Sequence, residues 1–250
     1  MSPASTERYR GPRRALVTGG SGGIGAAICA ALAHAGLQVI VHANSRLERA
    51  RELAEGLRGQ GHEAQAVAFD LRDAEATARG VAGLLEQAPV QVLVNNAGVH
   101  DDAVFPGMSA QQWERVMDVS VNGFYRVTQP LLLPMIRSRW GRVISITSVA
   151  AIAGNRGQVN YAAAKGALHA ATRSLALEVA SRGITVNAVA PGIIATPMSE
   201  GAFDDAAISR LVPAQRAGRP EEVADLVAFL ASDQAGYING QVISINGGMI

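Results

Sequence analysis

Ser148, Tyr161 and Lys165 are the residues of this sequence whose types and order could do chemistry together. Tyr161 and Lys165 stand four apart in a stretch that reads as helix, so both side chains lie on one face. Ser148 follows an apolar strand-like run, and the intervening loop can bring its hydroxyl against that face. A serine hydroxyl can hold a carbonyl oxygen, and that hydrogen bond strengthens as negative charge develops on the oxygen. A phenol can deliver the proton that completes an alcohol. With an ordinary pKa of about 10 it is a poor base in reverse, and a neighbouring ammonium draws it toward neutral pH. The trio suits hydride transfer between a nicotinamide and a carbonyl/alcohol pair. A tyrosine and a lysine at this spacing also serve as ordinary surface or packing residues, so the reading depends on what precedes them.

What precedes them is a nucleotide-binding pattern. The apolar run Ala15 to Val17 enters a loop containing Gly19, Ser21, Gly22, Gly23, Ile24 and Gly25, followed by an alanine-rich helix over residues 26–35. Glycines there allow a sharp turn and close approach of a pyrophosphate, and the helix N-terminus supplies free N–H groups. Ordinary turns use glycine too; the flanking strand and helix are what favour a dinucleotide. After the second strand, Asn44, Ser45 and Arg46 offer no carboxylate for a ribose 2′-hydroxyl but suit a 2′-phosphate, which favours NADPH/NADP+. The alternative for Arg46 is a solvated arginine at a helix start, and His42 reads as a half-exposed strand residue. Asp70 and Leu71, after the third strand, are candidates for the adenine edge, with a helix cap as the alternative for Asp70. Asn96, Ala97 and Gly98, with Asn95, follow the fourth strand, where amides can bridge loops and small residues leave room for adenosine. Pro191, Gly192, Ile194 and Thr196 follow the sixth strand and are candidates for the nicotinamide carboxamide and the pyrophosphate; a rigid loop is the alternative.

The elements that must position these residues alternate strand and helix. Strands are expected over residues 15–17, 37–41, 64–69, 90–94, 141–145, 184–189 and 242–245. Helices are expected over 47–59, 74–86, 110–137 with a bend at Pro130, 159–180 and 220–230. The strands are apolar runs rather than alternations, as in a parallel sheet covered on both faces. No linker divides the 250 residues, so the expected fold class is α/β: one doubly wound Rossmann-type domain over residues 13–250 with a seven-stranded parallel sheet. Residues 1–12 read as a flexible arm. Residues around 193–217, including Met198, Phe203, Ile208 and Leu211, read as a substrate lid suited to a partly nonpolar substrate, or else as simple packing.

Composition narrows the partners. The 22 basic and 21 acidic side chains give a net charge of +1 without the cationic excess of a nucleic-acid binder. No apolar run approaches a membrane span, Cys29 has no disulfide partner, and no metal-ligand set is evident. The expectation is a soluble cytoplasmic protein without membrane, nucleic-acid or metal partners.

Taken in order, the Thr18 to Gly25 loop, Asn95 to Gly98, Ser148, Tyr161 to Lys165 and Pro191-Gly192 resemble the short-chain dehydrogenase/reductase family over essentially the whole chain. Within it, the stretches 154–165, 178–192 and 237–248 are similar to bacterial 3-oxoacyl-[acyl-carrier-protein] reductases. The resemblance implies NADPH-dependent reduction of a 3-oxoacyl thioester, on acyl carrier protein or coenzyme A, in fatty acid biosynthesis. It also implies a homotetramer of 222 symmetry in which the helices around 110–137 and 159–180 pair between subunits. Three positions depart from the pattern. Gly22 stands where NADPH users often carry arginine, leaving the phosphate to Arg46, Asn44 and Arg14. Arg139 matches a carrier-protein contact near the entrance, but Leu177 replaces a second arginine. Ser120 stands where the family has the asparagine that helps hold a water in its proton relay. The alternatives are an NAD(P)-dependent dehydrogenase of another alcohol, ketone or sugar, and a weakly active cofactor-binding assembly subunit.

Overall fold

The computed structural model describes residues 11–197 and 204–250. Most of the expected arm, and Met198 and Phe203 of the expected lid, lie outside the described residues. The first half runs β1 (Arg14–Val17), α1 (Gly23–His34), β2 (Gln38–Ala43), α2 (Leu47–Gly59), β3 (Ala64–Ala68), α3 (Ala74–Gln87) and β4 (Val92–Asn95). The second adds α4 (Ala110–Met117), a π-helical turn (Asp118–Asn122), α5 (Gly123–Ser138), β5 (Gly141–Ile146), the short α6 (Ala150–Ala153) and α7 (Val159–Val179). It finishes with β6 (Ile184–Pro191), α8 (Asp205–Leu211), α9 (Pro220–Ala231) and β7 (Val242–Ile245).

All seven strands pair in parallel, in the order β3-β2-β1-β4-β5-β6-β7. This is the single doubly wound Rossmann-type domain expected from the strand runs. The order reverses between β1 and β4, and the crevice above that switch point, at the C-terminal ends of the strands, is where open α/β sheets take ligands. Side chains alternate between the faces. Ala15, Val17, Val39 and Val41 point toward Ile28 and Leu32 of α1, Ala54 of α2 and Val227 of α9. Leu16, Ile40, Leu93 and Val143 point toward Leu84 of α3, Leu131 and Met135 of α5 and Val179 of α7. Both faces are therefore buried, which is why the strands carry no polar alternation.

Local signals fix several helix starts. Pro220 opens α9, where a missing N–H costs nothing, and the Glu222 carboxylate accepts the Arg219 N–H at 2.7 Å. Ser109 and Gln112 form a reciprocal cap at α4. Pro130 and Pro134 both sit inside α5, and a π-helical departure from α geometry lies upstream, at residues 118–122. The expected lid stretch contains a helix, α8, capped by Asp204, whose side chain accepts the Ala207 N–H at 2.7 Å.

Candidate active site

Ser148, Tyr161 and Lys165 converge at the C-terminal end of β5. Beyond the strand, the backbone stays tied to β6: the N–H of Thr147 donates to Val189 O at 2.7 Å and that of Val149 to Pro191 O at 2.8 Å. Ser148 is held between these two bonds, its Oγ accepting the Ala150 N–H at 3.1 Å and lying near enough to the Tyr161 phenol to lower its pKa. Tyr161 lies in the first turn of α7, half-buried. One turn on, Lys165 is buried, donating to Ile146 O at 2.8 Å with its Nζ 5.7 Å from the Tyr161 ring centre. A Cβ on Gly98 would stand 3.0 Å from that Nζ, so the glycine gives the lysine its room.

The electrostatics differ from the simple expectation. Burial raises the Tyr161 pKa, the Ser148 hydrogen bond lowers it, and nearby Asp102 raises it again. Burial also lowers Lys165 to about 8. The two groups thus move apart in pKa, the phenol upward and the ammonium downward, rather than the phenol being drawn to neutrality. Burying a cation next to a phenol makes the shared proton position depend on what else enters the site.

Two supporting residues escaped the sequence reading. Asn160, fully buried, accepts the Tyr161 N–H at 2.8 Å and donates to Asp101 O and Gln112 O at 2.9 and 3.2 Å, anchoring the start of α7 to α4 and the preceding loop. His169 donates from Nε2 to Thr147 Oγ at 2.9 Å. Burial, then Arg173 and Lys165, lower its pKa. The four-residue period Tyr161, Lys165, His169 was the signal available for the latter.

Ser120 lies inside the π-helical turn, buried, with no hydrogen-bond partner for its hydroxyl. It lines a cavity of about 10 Å³ together with Thr18, Asn95, Ala97, Phe124 and Leu168. Tyr161 and Lys165 are not among its walls.

The glycine loop faces the same crevice. Gly19 (φ +62) and Gly23 (φ +46) take left-handed backbone. Gly25 leaves no space for a side chain, since a Cβ would meet Gly19 O at 2.3 Å. Gly22, at the N-cap of α1, instead faces open space. Ser21 is buried, whereas Ile24 is half-buried in the first turn. Asn96 ties the loop across the switch point: its amide donates to Thr18 O and Gly19 O at 2.9 and 3.1 Å, and Thr18 Oγ accepts the N–H groups of Asn96 and Ala97. Thr196 approaches from the far side, its Cγ2 lying 3.4 Å from where a Gly23 Cβ would be. Pro191 and Gly192 end β6, with Gly192 N–H on Ile245 O and Asn246 and Met249 packed over the glycine; Ile194 is buried and bridges to Gly218. An open cradle over Gly22, first-turn amides and left-handed glycines together fit a pyrophosphate.

Asn44, Ser45 and Arg46 are exposed at the end of β2, with Arg46 at the N-cap of α2. Asp70 is half-buried, and its carboxylate takes Arg72 in a two-pronged pair of 3.1 and 2.7 Å. That guanidinium holds the carboxyl below its ordinary pKa. Asp70 does not cap α3; Asp73 does, accepting the Ala76 N–H at 2.9 Å. Leu71 is buried, and its carbonyl takes Arg126 Nη1 at 2.7 Å. Arg126 also bonds Asp118 at 2.9 Å.

Three expectations are corrected here. Arg14 is buried at the opposite end of β1 from the glycine loop, donating to Leu84 O and Ala88 O, so it does not serve a phosphate. Arg139 caps the C-terminus of α5, before β5, and bonds Ser181 O at 3.0 Å. It thus lies at the sheet edge away from Ser148 and does not line the entrance of its own chain's site. His42 is buried at 1% exposure rather than half-exposed. No described helix is long and apolar enough to cross a membrane, and no cluster of metal-ligating side chains occurs among the described residues.

The family model for short chain dehydrogenases matches residues 13–207. The chain is 43% identical over 236 residues to the 3-oxoacyl-[acyl-carrier-protein] reductase of Aggregatibacter actinomycetemcomitans, covering 94% of this chain and 98% of that protein. It is 42% identical over 240 residues to the acetoacetyl-CoA reductase of Rhizobium meliloti (strain 1021), covering 94% and 98%. It is also 43% identical over 239 residues to nodulation protein G of Rhizobium sp. (strain N33), covering 95% and 96%. With the parallel sheet, the glycine crossover and the Ser–Tyr–Lys convergence in one crevice, the chain belongs to the short chain dehydrogenase family, whose fold is that of NAD(P)-dependent oxidoreductases.

Proposed function

We propose that the protein reduces a 3-oxoacyl thioester to the 3-hydroxyacyl form with NADPH. The observation that carries this reading is the convergence of Ser148 and the Tyr161 phenol with a buried Lys165 on the crevice that holds the glycine loop. In this reading the nucleotide supplies a hydride. Gly19, Ser21, Gly22, Gly23, Ile24 and Thr196 hold its pyrophosphate; Asp70, Leu71, Asn96, Ala97 and Gly98 its adenosine side; and Pro191, Gly192 and Ile194 its carboxamide. The Ser148 hydroxyl donates to the substrate carbonyl oxygen, fixing it where negative charge develops. The Tyr161 phenol gives that oxygen its proton, and the Lys165 ammonium steadies the phenolate left behind. Ser120, with an unpartnered hydroxyl over a cavity of about one water's size, is suited to hold a water, in a cavity that Tyr161 and Lys165 do not line.

Exposed Arg46 at the end of a strand that lacks a carboxylate supports a 2′-phosphate and hence NADPH. Relatives named for carrier-protein and for coenzyme A substrates support a thioester without choosing its carrier. Leu177, 85% exposed where an arginine would strengthen an acidic partner's grip, supports coenzyme A or a weakly held acyl carrier protein. Exposed Tyr125 and Leu133 on α5 support pairing of this helix between subunits in a homotetramer.

The test is NADPH oxidation with acetoacetyl groups on carrier protein and on coenzyme A, beside simple ketones and with NADH as the second cofactor. Turnover of either thioester well above the ketones, and faster with NADPH, is the expected result. Preference for a ketone or a sugar would replace the substrate assignment. NADPH binding without turnover on any substrate would favour an assembly subunit, the reading to which Ser120 points.

A further inference from the structure

We propose that His42 is a positioning residue for the adenosine half of the nucleotide, one ring tying the glycine loop to the turn after β3; this rests on the nucleotide reading above. The ring is buried at the end of β2. Its Nδ1 accepts the Gly19 N–H at 3.2 Å, so the single proton of the neutral ring sits on Nε2 and is donated to Phe69 O at 2.9 Å. Burial lowers its pKa to about 4, against a weaker opposing pull from the Phe69 hydrogen bond and the Asp70 charge. The ring therefore stays in the neutral form that can accept on one side and donate on the other.

The backbone repeats the connection. The carbonyl of His42 accepts the Gly20 N–H at 2.8 Å, and the Phe69 N–H donates to Ala43 O at 3.2 Å. The rings of His42 and Phe69 lie 4.3 Å apart, tilted by 53°, and Phe69 in turn fills the space over Gly80, where a Cβ would come within 2.3 Å of it. With the Gly19 and Gly20 amides both engaged inside the protein, an anion at this loop is left to the amides that follow at the N-terminus of α1. With the Phe69 carbonyl fixed, Asp70 and Leu71 leave the strand in one direction. The ring thus sets the spacing between the loop proposed for the pyrophosphate and the residues proposed for the adenine. An aliphatic side chain in its place would leave an N–H and a carbonyl without their partner in a buried setting, and the loop would relax.

The test uses the full chain and two ligands, NADPH and 2′-phospho-ADP-ribose. The second lacks the nicotinamide and reads the adenosine half independently of any carbonyl chemistry. For His42→Leu, titration calorimetry is expected to show both dissociation constants raised about tenfold, with kcat on acetoacetyl-CoA at saturating NADPH within about twofold of wild type. His42→Asn keeps an acceptor near the Nδ1 position for the Gly19 N–H and is expected to recover part of the loss, with a rise of about threefold. Unchanged dissociation constants in His42→Leu overturn the proposal. So does a kcat that falls in step with affinity and is not improved by Asn, because general loosening of the core would do that. Should His42→Leu fail to fold, His42→Asn decides alone: weaker binding at unaltered kcat supports the proposal, and wild-type affinity overturns it. A wild-type chain that binds neither ligand removes the nucleotide reading and the role of His42 with it. One that binds both but reduces no thioester removes only the substrate assignment, and the 2′-phospho-ADP-ribose titration still decides on His42.

Discussion

The glycine loop after β1 and the segment from Ser148 to Lys165 meet in one crevice but are built on opposite principles. The loop works through atoms it lacks: Gly25 has no Cβ to strike Gly19 O, and Gly22 leaves open space in front of α1. The second segment works through atoms that are present and buried, with Asn160, Lys165 and His169 each bonded into the core beside Tyr161. Adding an atom should therefore damage the first region, and removing one should damage the second. The same contrast holds in energy, since overpacking acts through strain and deletion through the loss of one charged or polar contact.

The deletion arm gives the largest effect. Tyr161→Phe removes a single oxygen and is expected to lower kcat about 1000-fold while the NADPH dissociation constant, read by fluorescence titration, stays within about twofold. Full activity in this variant would remove the proton path. Next comes Lys165→Met, expected to lower kcat about 100-fold and yet raise the melting temperature by about 2–5 °C, because a buried cation is replaced by an apolar side chain of similar length. Its pH dependence sharpens the point. With a folded pKa of about 8 against an ordinary 10.5, the folded chain binds fewer protons than the unfolded chain between those values. This group thus makes stability rise with pH from about 8 to 10.5, and reduction fall as the ammonium is lost above about 8. Melting and rate profiles across that range should lose both features in Lys165→Met.

The addition arm is smaller. Gly25→Ala places a methyl group against Gly19 O and is expected to weaken NADPH binding about 10- to 100-fold with the Tyr161 chemistry retained at saturation. A dissociation constant equal to wild type would show that the loop has slack. Arg46→Ala deletes an atom group from the open side of the nucleotide region and should do least, about tenfold on NADPH and nothing on NADH. Equal effects on both nucleotides would take the 2′-phosphate away from this arginine.

Sequence made the strands legible because burial on both faces leaves apolar runs, and β1, β2 and β6 each read that way. Tyr161 and Lys165 were legible because helical spacing is local. What escaped depends on the far end of a contact. His42 reads as a polar strand residue until Gly19 and Phe69 are seen at its two nitrogens. Arg14 and Arg139 carry the charge a phosphate or an acidic partner needs but stand at the wrong edge of the sheet, and edge is a property of strand direction, not of residue type. Asp70 passed for a cap because Asp73, three residues on, has the same chemistry and the better position. The irregular turn before α5 carries no proline or glycine of its own to announce it.

That turn has a consequence for how the chain can change length. A π-helical turn accommodates one surplus residue while keeping the helical turns on either side nearly in phase, so excising one residue here would restore ordinary winding without turning either helix, whereas excising one from regular helix rotates everything beyond it by about 100°. Loss of Val121 would thus leave Val127, Leu131 and Met135 in the interior and Val116 buried on α4, which packs on α7, while a deletion early in α5 would swing the side chains beyond it out of the interior. The stretch at residues 118–122 is therefore where this long helical run can lose a residue, and single-codon deletions should be tolerated better here than within α4 or α5.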